Sequence, residues 1–210
     1  MRVTDAPAPP GTQPDSLVER KQRRARQRIV EAADELFAQR GFDNVSVSDI
    51  AERAEVGRTT FFRYFGDKTE VVFAKERSLL DAIASAGQND TAPAARDVRE
   101  AIEQLRPIVL DLCARAAEDP EAYDRRADLL QRHVELRARD ALKNQQIASR
   151  LSELLQHRDT KESTAVLAAQ IALGCYETAR QRARTATDLV RESDAAFGEV
   201  LALGASRPEG

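Results

Sequence analysis

Residues 45–65 read VSVSDIAERAEVGRTTFFRYF, and the stretch carries start and stop signals for two short helices. Ser46 is a candidate N-cap, and Asp49 three residues later can complete a capping box with it. The first helix is therefore predicted over residues 47–54 and the second over residues 58–65. Two short helices joined by a three-residue turn indicate a helix-turn-helix motif.

The second helix of this motif has two faces of different character. Phe61 and Phe65 lie four residues apart, so both are expected to pack inward. The remaining faces carry Arg58, Thr59, Phe62 and Arg63. A helix of two turns fits the major groove of DNA, and arginine can bridge O6 and N7 of guanine. The pattern favours DNA binding over the alternative, a plain helical hairpin with solvated arginines.

A basic run precedes the motif. Six of the nine residues in 20–28 are Lys or Arg, and they lead into a helix that Gly41 is expected to end. The apolar face of that helix consists of Ile29, Ala33, Leu36 and Phe37. Residues 20–68 hold 11 basic and 8 acidic residues, a balance of +3, whereas the whole chain carries −3. A surface that faces phosphates requires such a concentration of positive charge.

The rest of the chain predicts further helices and no strands. Four prolines in residues 1–19 indicate a disordered tail, and a helix over 67–85 is expected to lead out of the motif. The best domain boundary is the stretch 87–93. Beyond it, long helices are predicted at about 94–118, 121–157 with an internal break, 161–184 and 188–203, with a kink or break at Pro107. The predicted fold is all-α, with a three-helix DNA-binding domain over 20–68, a larger helical domain over 86–204 and a flexible C-terminus over 205–210.

Composition excludes several classes of protein. Mean hydropathy is −0.51, and no long apolar run or secretory signal is present, so a cytoplasmic protein without a membrane partner is expected. The two cysteines have no metal-binding or disulfide spacing, and no His/Asp/Glu cluster stands out, so neither a metal nor another cofactor is expected. No nucleophile–base pattern or glycine-rich phosphate loop is evident, which argues against an enzyme.

This part of the sequence resembles the N-terminal domain of the TetR family of transcriptional regulators. The residues that carry the resemblance are Gly41-Phe42, 45–51, 54–65 and Lys68. The resemblance implies a homodimer that binds a near-palindromic double-stranded operator and is released by a small-molecule effector, most often as a repressor. It implies phosphate contacts by Ser46, Thr60, Tyr64 and Lys68, and base contacts by Arg58, Thr59, Phe62 and Arg63. Independently of the resemblance, the positive charge of the basic run makes Arg24 a further candidate for DNA binding. One departure is Gly57, where the family often has a serine that can cap the helix.

The same resemblance implies a ligand cavity between the later helices. The candidate lining residues are Leu105, Ile108, Val109, Leu112, Cys113, Tyr123, Leu130, His133, Ile147, Leu151, Gln170 and Tyr176. Few polar groups interrupt this set, and no charged partner for a ligand stands out in it. A mostly apolar effector, uncharged or weakly polar, is therefore expected. For each polar residue the alternative is an ordinary core or surface position.

A further segment, residues 165–174, is rich in small residues and poor in charge, which favours close helix packing. The candidate dimer contacts are Leu167, Ile171, Gly174, Phe197, Val200 and Leu201. The alternative is that the same helices pack only within one chain. For function, the alternative to a ligand-responsive regulator is a ligand-blind architectural DNA-binding protein, which would show no ligand-induced release from DNA.

Overall fold

The structure is a computed structural model that describes residues 17–74, 80, 83 and 92–203, without the side chain of Glu19. Regular structure within these ranges is helical throughout, as the composition predicts. The chain divides into two compact units, Met1–Val71 and Val72–Gly210, which we call the N-terminal and C-terminal units. None of the helices in the described ranges has the length and apolar content that a membrane crossing needs.

The N-terminal unit contains α1 (Leu17–Arg40), α2 (Val47–Arg53), α3 (Arg58–Tyr64) and the start of α4 (Lys68–Val72). The short helices α2 and α3 lie where the cap and turn signals predict them. Helix α1 begins at Leu17, three residues inside the predicted disordered tail, so the prediction of disorder for Leu17–Glu19 is wrong. The remainder of the predicted tail, residues 1–16, lies outside the described residues.

Gly41 ends α1 by adopting a left-handed backbone conformation with φ of +76°. Its N–H donates to the carbonyl oxygen of Phe37 at 3.0 Å. Phe42 then turns back onto the last turn of the helix, with its ring centre 5.1 Å from that of Phe37. A residue with a Cβ is strained at such a positive φ, which explains the glycine at this position.

The core of the N-terminal unit joins α1, α2 and α3. The predicted apolar face of α1, Val45 and Ile50 on either side of the Ser46 cap, and both predicted inward phenylalanines of α3 are buried. The buried residues include Ile29, Ala33, Leu36, Phe37, Phe42, Val45, Ile50, Ala51, Ala54, Phe61 and Phe65. Three helices that are each too short or too polar to be stable alone are therefore held together by one shared apolar core.

The predicted helix over 67–85 is not continuous. The side chain of Asp67 accepts a hydrogen bond from the N–H of Glu70 at 2.9 Å, as expected of a cap, but α4 ends at Val72. Phe73 and Ala74 form a turn, and Leu80 is helical again. Two β-branched residues and an aromatic residue in succession, 71–73, have low helix propensity, which explains the early end.

Within residues 92–203, the C-terminal unit contains α5 (Val98–Ala116), α6 (Pro120–Arg132), α7 (Val134–His157), α8 (Glu162–Arg182), a 3-10 turn (Ala186–Asp188) and α9 (Leu189–Leu203). The predicted internal break falls at His133, which separates α6 from α7. Of the kink or break predicted at Pro107, the break is absent, because α5 continues through this residue. The predicted boundary at 87–93 lies largely outside the described residues, as does the C-terminus from 204 onward.

Helix α8 is the centre of the C-terminal unit, because it packs against α5, α7 and α9. Its inner face is built from small residues, and that face is fully enclosed within the chain. The buried residues of this face are Ala165, Ala168, Ala169, Ala172, Cys175 and Ala179. Small side chains allow the three neighbouring helices to approach closely, and the larger side chains of those helices fill the core.

Candidate functional site

The start of α2 is fixed by a reciprocal cap. The N–H of Ser46 donates to Oδ2 of Asp49 at 2.8 Å, and the N–H of Asp49 donates to Oγ of Ser46 at 3.2 Å. The Ser46 hydroxyl also donates to Oδ2 of Asp49, and this hydrogen bond, together with the one from the Ser46 N–H, lowers the pKa of Asp49. The capping box predicted from the sequence is therefore confirmed, and the Ser46 hydroxyl is engaged in it before any contact with a phosphate.

The turn between α2 and α3 is made by Glu55 rather than by the glycine of the motif. Glu55 has φ of +53°, and the following N–H, that of Val56, donates to the carbonyl of Ala51 at 2.9 Å. Gly57 has an extended conformation, with φ of −71° and ψ of 150°, that any residue can adopt. It is the N-cap of α3 and provides no side-chain hydrogen bond, as its sequence predicts.

Helix α3 has an exposed face that is mostly polar and a buried face that consists of aromatic side chains. Phe61 and Phe65 are buried, with ring centres 5.8 Å apart. The predicted groove-facing residues Arg58, Thr59, Phe62 and Arg63 are all exposed, Phe62 by 49%. The predicted phosphate-contacting residues Thr60 and Tyr64 are half-buried at its edge, and the guanidinium of Arg63 lies 5.1 Å from the Tyr64 ring centre. The structure therefore brings these six predicted DNA-binding residues together on one short helix.

Exposed basic side chains also mark the start of α1. Arg20, Lys21 and Arg24 are exposed and make no ion pair with the part of the chain that the structure describes. Further along α1, a charged side chain is paired within the chain: the Glu35 carboxylate accepts a hydrogen bond from Nε of Arg53 on α2 at 2.9 Å. The first two turns of α1 thus carry positive charge that is available to a partner.

Lys68 differs from the other residues to which the resemblance assigns a phosphate contact. Its ammonium is partly buried and donates to the carbonyl oxygens of Phe42 at 2.7 Å and Val45 at 3.0 Å. It also lies 4.3 Å from the Phe42 ring centre. Lys68 therefore joins the beginning of α4 to the loop between α1 and α2, and most of its hydrogen-bonding capacity serves the fold.

Nine of the twelve predicted ligand-lining residues lie in or against the core of the C-terminal unit: Leu105, Ile108, Val109, Leu112, Cys113, Tyr123, Ile147, Leu151 and Tyr176. The other three lie elsewhere. Gln170 is exposed and donates to Gln145 at 3.2 Å, so its predicted inward orientation is wrong. Leu130 is buried outside that core, and His133 occupies the break between α6 and α7, with Nδ1 3.7 Å from the Glu135 carboxylate.

Charged side chains that the sequence did not indicate lie next to Tyr176, one of the predicted lining residues. Arg126 on α6 and Arg180 on α8 both donate to the carboxylate of Asp140 on α7, each at 2.7 Å. Asp140 and Asn144 follow the buried Leu136 at four-residue spacing, so they occupy the inner face of α7. Polar residues at the spacing of a buried helix face are the signal that sequence reasoning overlooked.

The candidate dimer residues divide into three groups by their exposure. Leu167 and Gly174 are exposed on the outer face of α8, and Ile171, Val200 and Leu201 are half-buried. Phe197 is fully buried within the chain, so its predicted contact with a second subunit is wrong. Sequence reasoning missed two exposed apolar residues of the same helices, Val166 and Leu203. The small-residue segment therefore packs within the chain on one side and is exposed on the other.

Comparison with known proteins agrees with this geometry. Residues 29–74 match the family model described as bacterial regulatory proteins of the tetR family. The HTH-type transcriptional regulator TcmR of Streptomyces glaucescens is 37% identical over 84 residues, which cover 40% of this chain and 37% of TcmR. The matched segment thus spans well under half of that relative's length.

Solved structures extend the likeness to the C-terminal unit. The complex of SmeT with triclosan superposes with a TM-score of 0.56 at 18% identity, covering 89% of this chain and 96% of SmeT. Thermus thermophilus FadR in complex with lauroyl-CoA superposes with a TM-score of 0.54 at 24% identity, covering 88% of this chain and 97% of FadR. At these identities the likeness establishes a shared fold.

The fold and the exposed face of α3 define an all-α helix-turn-helix protein with a larger helical C-terminal unit. Residues 29–74 cover the second half of α1 and all of α2, α3 and α4, so this part of the chain is similar to the bacterial regulatory proteins of the tetR family.

Proposed function

We propose that this protein is a transcriptional repressor that binds a near-palindromic DNA operator as a homodimer and leaves it when a small molecule binds the C-terminal unit. One observation carries the proposal: α3 exposes Arg58, Thr59, Phe62 and Arg63 together, while Phe61 and Phe65 anchor it from below. A helix presented in this way can enter the major groove and contact base edges.

On DNA, each part of the N-terminal unit has a separate task. Arg58 and Arg63 donate to guanine O6 and N7, and these contacts specify the sequence. Thr60 and Tyr64 at the edge of α3 contact phosphates, together with Arg24 at the start of α1. Phosphate contacts supply affinity and fix the orientation of the protein, and they depend strongly on salt concentration.

The homodimer forms through the outer faces of α8 and α9. Leu167 is 50% exposed, and Val166 and Leu203 add further apolar surface, which supports an isologous contact between two copies. Two helix-turn-helix units related by twofold symmetry then bind two half-sites about one helical turn of DNA apart.

The effector is a small molecule with a mostly apolar body. Two proteins of the same fold, SmeT and FadR, were solved with triclosan and with lauroyl-CoA. In this chain, α5 and α7 supply the apolar side chains that an apolar body would contact. To release DNA, the ligand must bind the form with low operator affinity more tightly, by about 1.4 kcal/mol for each tenfold loss of DNA affinity.

The test is selection of binding sites from random double-stranded DNA, followed by fluorescence anisotropy on the selected sequence. We expect inverted repeats and specific binding that exceeds binding to scrambled DNA by about a thousandfold or more. Selection that yields no preferred sequence contradicts a sequence-specific repressor. A preferred sequence that no compound in a metabolite screen releases indicates the ligand-blind architectural protein instead.

A further inference from the structure

Phe62 on α3 is an aromatic residue that remains largely in contact with solvent. It is 49% exposed, and among the exposed large hydrophobic residues of the described chain it is the one aromatic. One side of its ring contacts Phe61, which is fully buried: the two ring centres lie 5.6 Å apart, and the ring planes meet at 83°. Phe62 is therefore anchored on one side and leaves its other side open to a partner.

The neighbours of Phe62 on the surface of α3 are polar. Arg58 and Thr59 lie four and three residues before it, so they flank it on the helix surface, and both are exposed. The fold does not require a third aromatic ring here, because Phe61 and Phe65 already supply the buried aromatic contacts of this helix. The exposed ring lies instead within the surface that enters the major groove in the proposed function.

The major groove offers only one group that complements an apolar side chain. Base edges there present hydrogen-bond acceptors, amino donors and, on thymine, a methyl group at C5. Phe62 has no donor or acceptor, so its ring would remove water from an amino group or a carbonyl oxygen without giving a hydrogen bond in return. A ring that covers a methyl group removes apolar surface from water, which is favourable. The chemistry of Phe62 therefore selects the methyl group.

We infer that Phe62 recognises the C5 methyl group of a pyrimidine in each half-site of the operator, an inference that rests on the proposed function. Two bases carry this group at the same position, thymine and 5-methylcytosine. They differ at C4, where thymine has a carbonyl oxygen and 5-methylcytosine has an amino group, and a phenyl ring forms a hydrogen bond with neither. Phe62 therefore accepts either base and disfavours unmodified cytosine, so methylation of a cytosine at this position strengthens DNA binding.

Arg58 specifies the sequence beside this pyrimidine. The Cβ atoms of residues four apart on a helix are separated by about 5–6 Å, and successive base pairs are separated by about 3.4 Å. Arg58 and Phe62 therefore reach base pairs that are one or two steps apart. Because the proposed function has Arg58 donating to guanine, the expected half-site contains a C5-methylated pyrimidine within two base pairs of a guanine.

The first experiment changes only the methyl group of the DNA. The operator is selected from random double-stranded DNA with the full chain, and each thymine is replaced in turn, in both half-sites, by deoxyuridine, which lacks the C5 methyl group. Fluorescence anisotropy measures binding of each duplex in the absence of any small molecule. We expect one position at which deoxyuridine weakens binding about fourfold per half-site, the value of one buried CH2 group. At that position, 5-methylcytosine should bind more tightly than cytosine by about the same factor. An operator that tolerates deoxyuridine at every thymine overturns the inference.

Three variants assign the effect to one side chain. Phe62→Ala and Phe62→Gln both remove the ring, so we expect each variant to bind the thymine and deoxyuridine duplexes equally well. Glutamine keeps a long side chain and good helix propensity, which protects the test if alanine loosens α3. Thr59→Ser is the matched control, because Thr59 is the exposed neighbour of Phe62 and its own methyl group can also contact thymine. Serine removes that methyl group and keeps the hydroxyl, and we expect this variant to retain the wild-type ratio of the two affinities.

The outcomes separate this inference from the proposed function. A folded Phe62 variant that keeps the wild-type ratio overturns the inference, and so does a Thr59→Ser protein that loses it. If neither Phe62 variant folds, the deoxyuridine replacements on the wild type and on Thr59→Ser decide. A specific operator whose affinity is independent of methyl groups retains the proposed function and loses this inference. A methyl-dependent operator that no compound releases retains this inference and contradicts a ligand-responsive repressor. Selection without any preferred sequence overturns both.

Discussion

The ammonium group of Lys68 donates to the carbonyl oxygen of Phe42 at 2.7 Å and lies 4.3 Å from the centre of the same residue's ring. One lysine thus supplies both a charge-assisted hydrogen bond and a cation–π contact to the loop that follows α1. The resemblance to the family assigns Lys68 a phosphate contact. Its position within the N-terminal unit gives it a structural role as well, and the two roles predict different effects of substitution.

Lys68→Met should lower the free energy of unfolding by about 2 kcal/mol, because it leaves two loop carbonyls without their charged donor. Urea denaturation followed by circular dichroism measures the change. Lys161→Met is the control, since Lys161 is exposed and its side chain makes no contact of this kind with the described residues. Unchanged stability together with a shallower salt dependence of DNA binding would assign Lys68 to phosphate contact alone.

Replacing Arg58 or Arg63 by alanine should cost about 1–3 kcal/mol of specific DNA binding, which is the value of a bidentate guanine contact. Binding to random DNA should change much less. Both residues are exposed, so stability should stay within about 0.5 kcal/mol of the wild type. Arg150→Ala in the C-terminal unit removes the same charge and serves as the control. Equal weakening on specific and random DNA would show that these arginines contact only phosphates.

The basic start of α1 should set the salt dependence of DNA binding. A truncation through Arg24 would also remove the first two turns of α1. Replacing Arg20, Lys21 and Arg24 by glutamine removes the three charges and preserves helix propensity, so this triple variant is the better test. The slope of log affinity against log salt should fall by about 0.9 for each phosphate that the variant no longer neutralises. A protein with Arg115, Arg150 and Arg191 changed to glutamine has the same net charge and should keep the wild-type slope. Identical slopes in both triple variants would make the run a solvated surface.

The sequence predicts structural features that form between residues close together in the chain better than features that join distant residues. The capping box of Ser46 and Asp49 and the stop at Gly41 form between residues at most four positions apart, so the helices of the N-terminal unit follow from local patterns. The Arg126–Asp140–Arg180 cluster joins residues 14 and 40 positions apart, and only the packing of three helices brings them together. No local pattern specifies that pairing.

Helix α8 shows a second limit. Its segment 165–174 is apolar or small on nearly every side, so the sequence does not distinguish the face that packs within the chain from the face that is exposed. The structure separates Ala168 and Ala172, which are buried, from Leu167 and Gly174, which are exposed. The prediction for Phe197 is wrong for the same reason, because a large apolar residue suits a core and an interface equally well.

Gly57→Ser should stabilise the N-terminal unit by about 0.5–1 kcal/mol. The backbone at Gly57 is extended and a Cβ there meets no atom within 4 Å, so serine fits without strain and its hydroxyl can cap α3. Gly57→Ala reduces the freedom of the unfolded chain in the same way but supplies no cap, so the difference between the two variants in urea denaturation isolates the hydrogen bond. Alanine that stabilises as much as serine would contradict a capping role.

Gly174→Glu should convert the proposed dimer into a folded monomer. A Cβ at Gly174 meets no atom within 4 Å of it, so the chain itself accommodates the larger side chain. In an apolar contact between two subunits, the new carboxylate would lose its water without gaining a partner, at a cost of several kcal/mol. Sedimentation velocity should give a dimer for the wild type and for Gly174→Ala, and a monomer with unchanged helical content for Gly174→Glu. The monomer should also bind the full operator more weakly, because it has no linked second unit to bind the other half-site. A Gly174→Glu protein that remains a dimer would move the interface away from the outer face of α8.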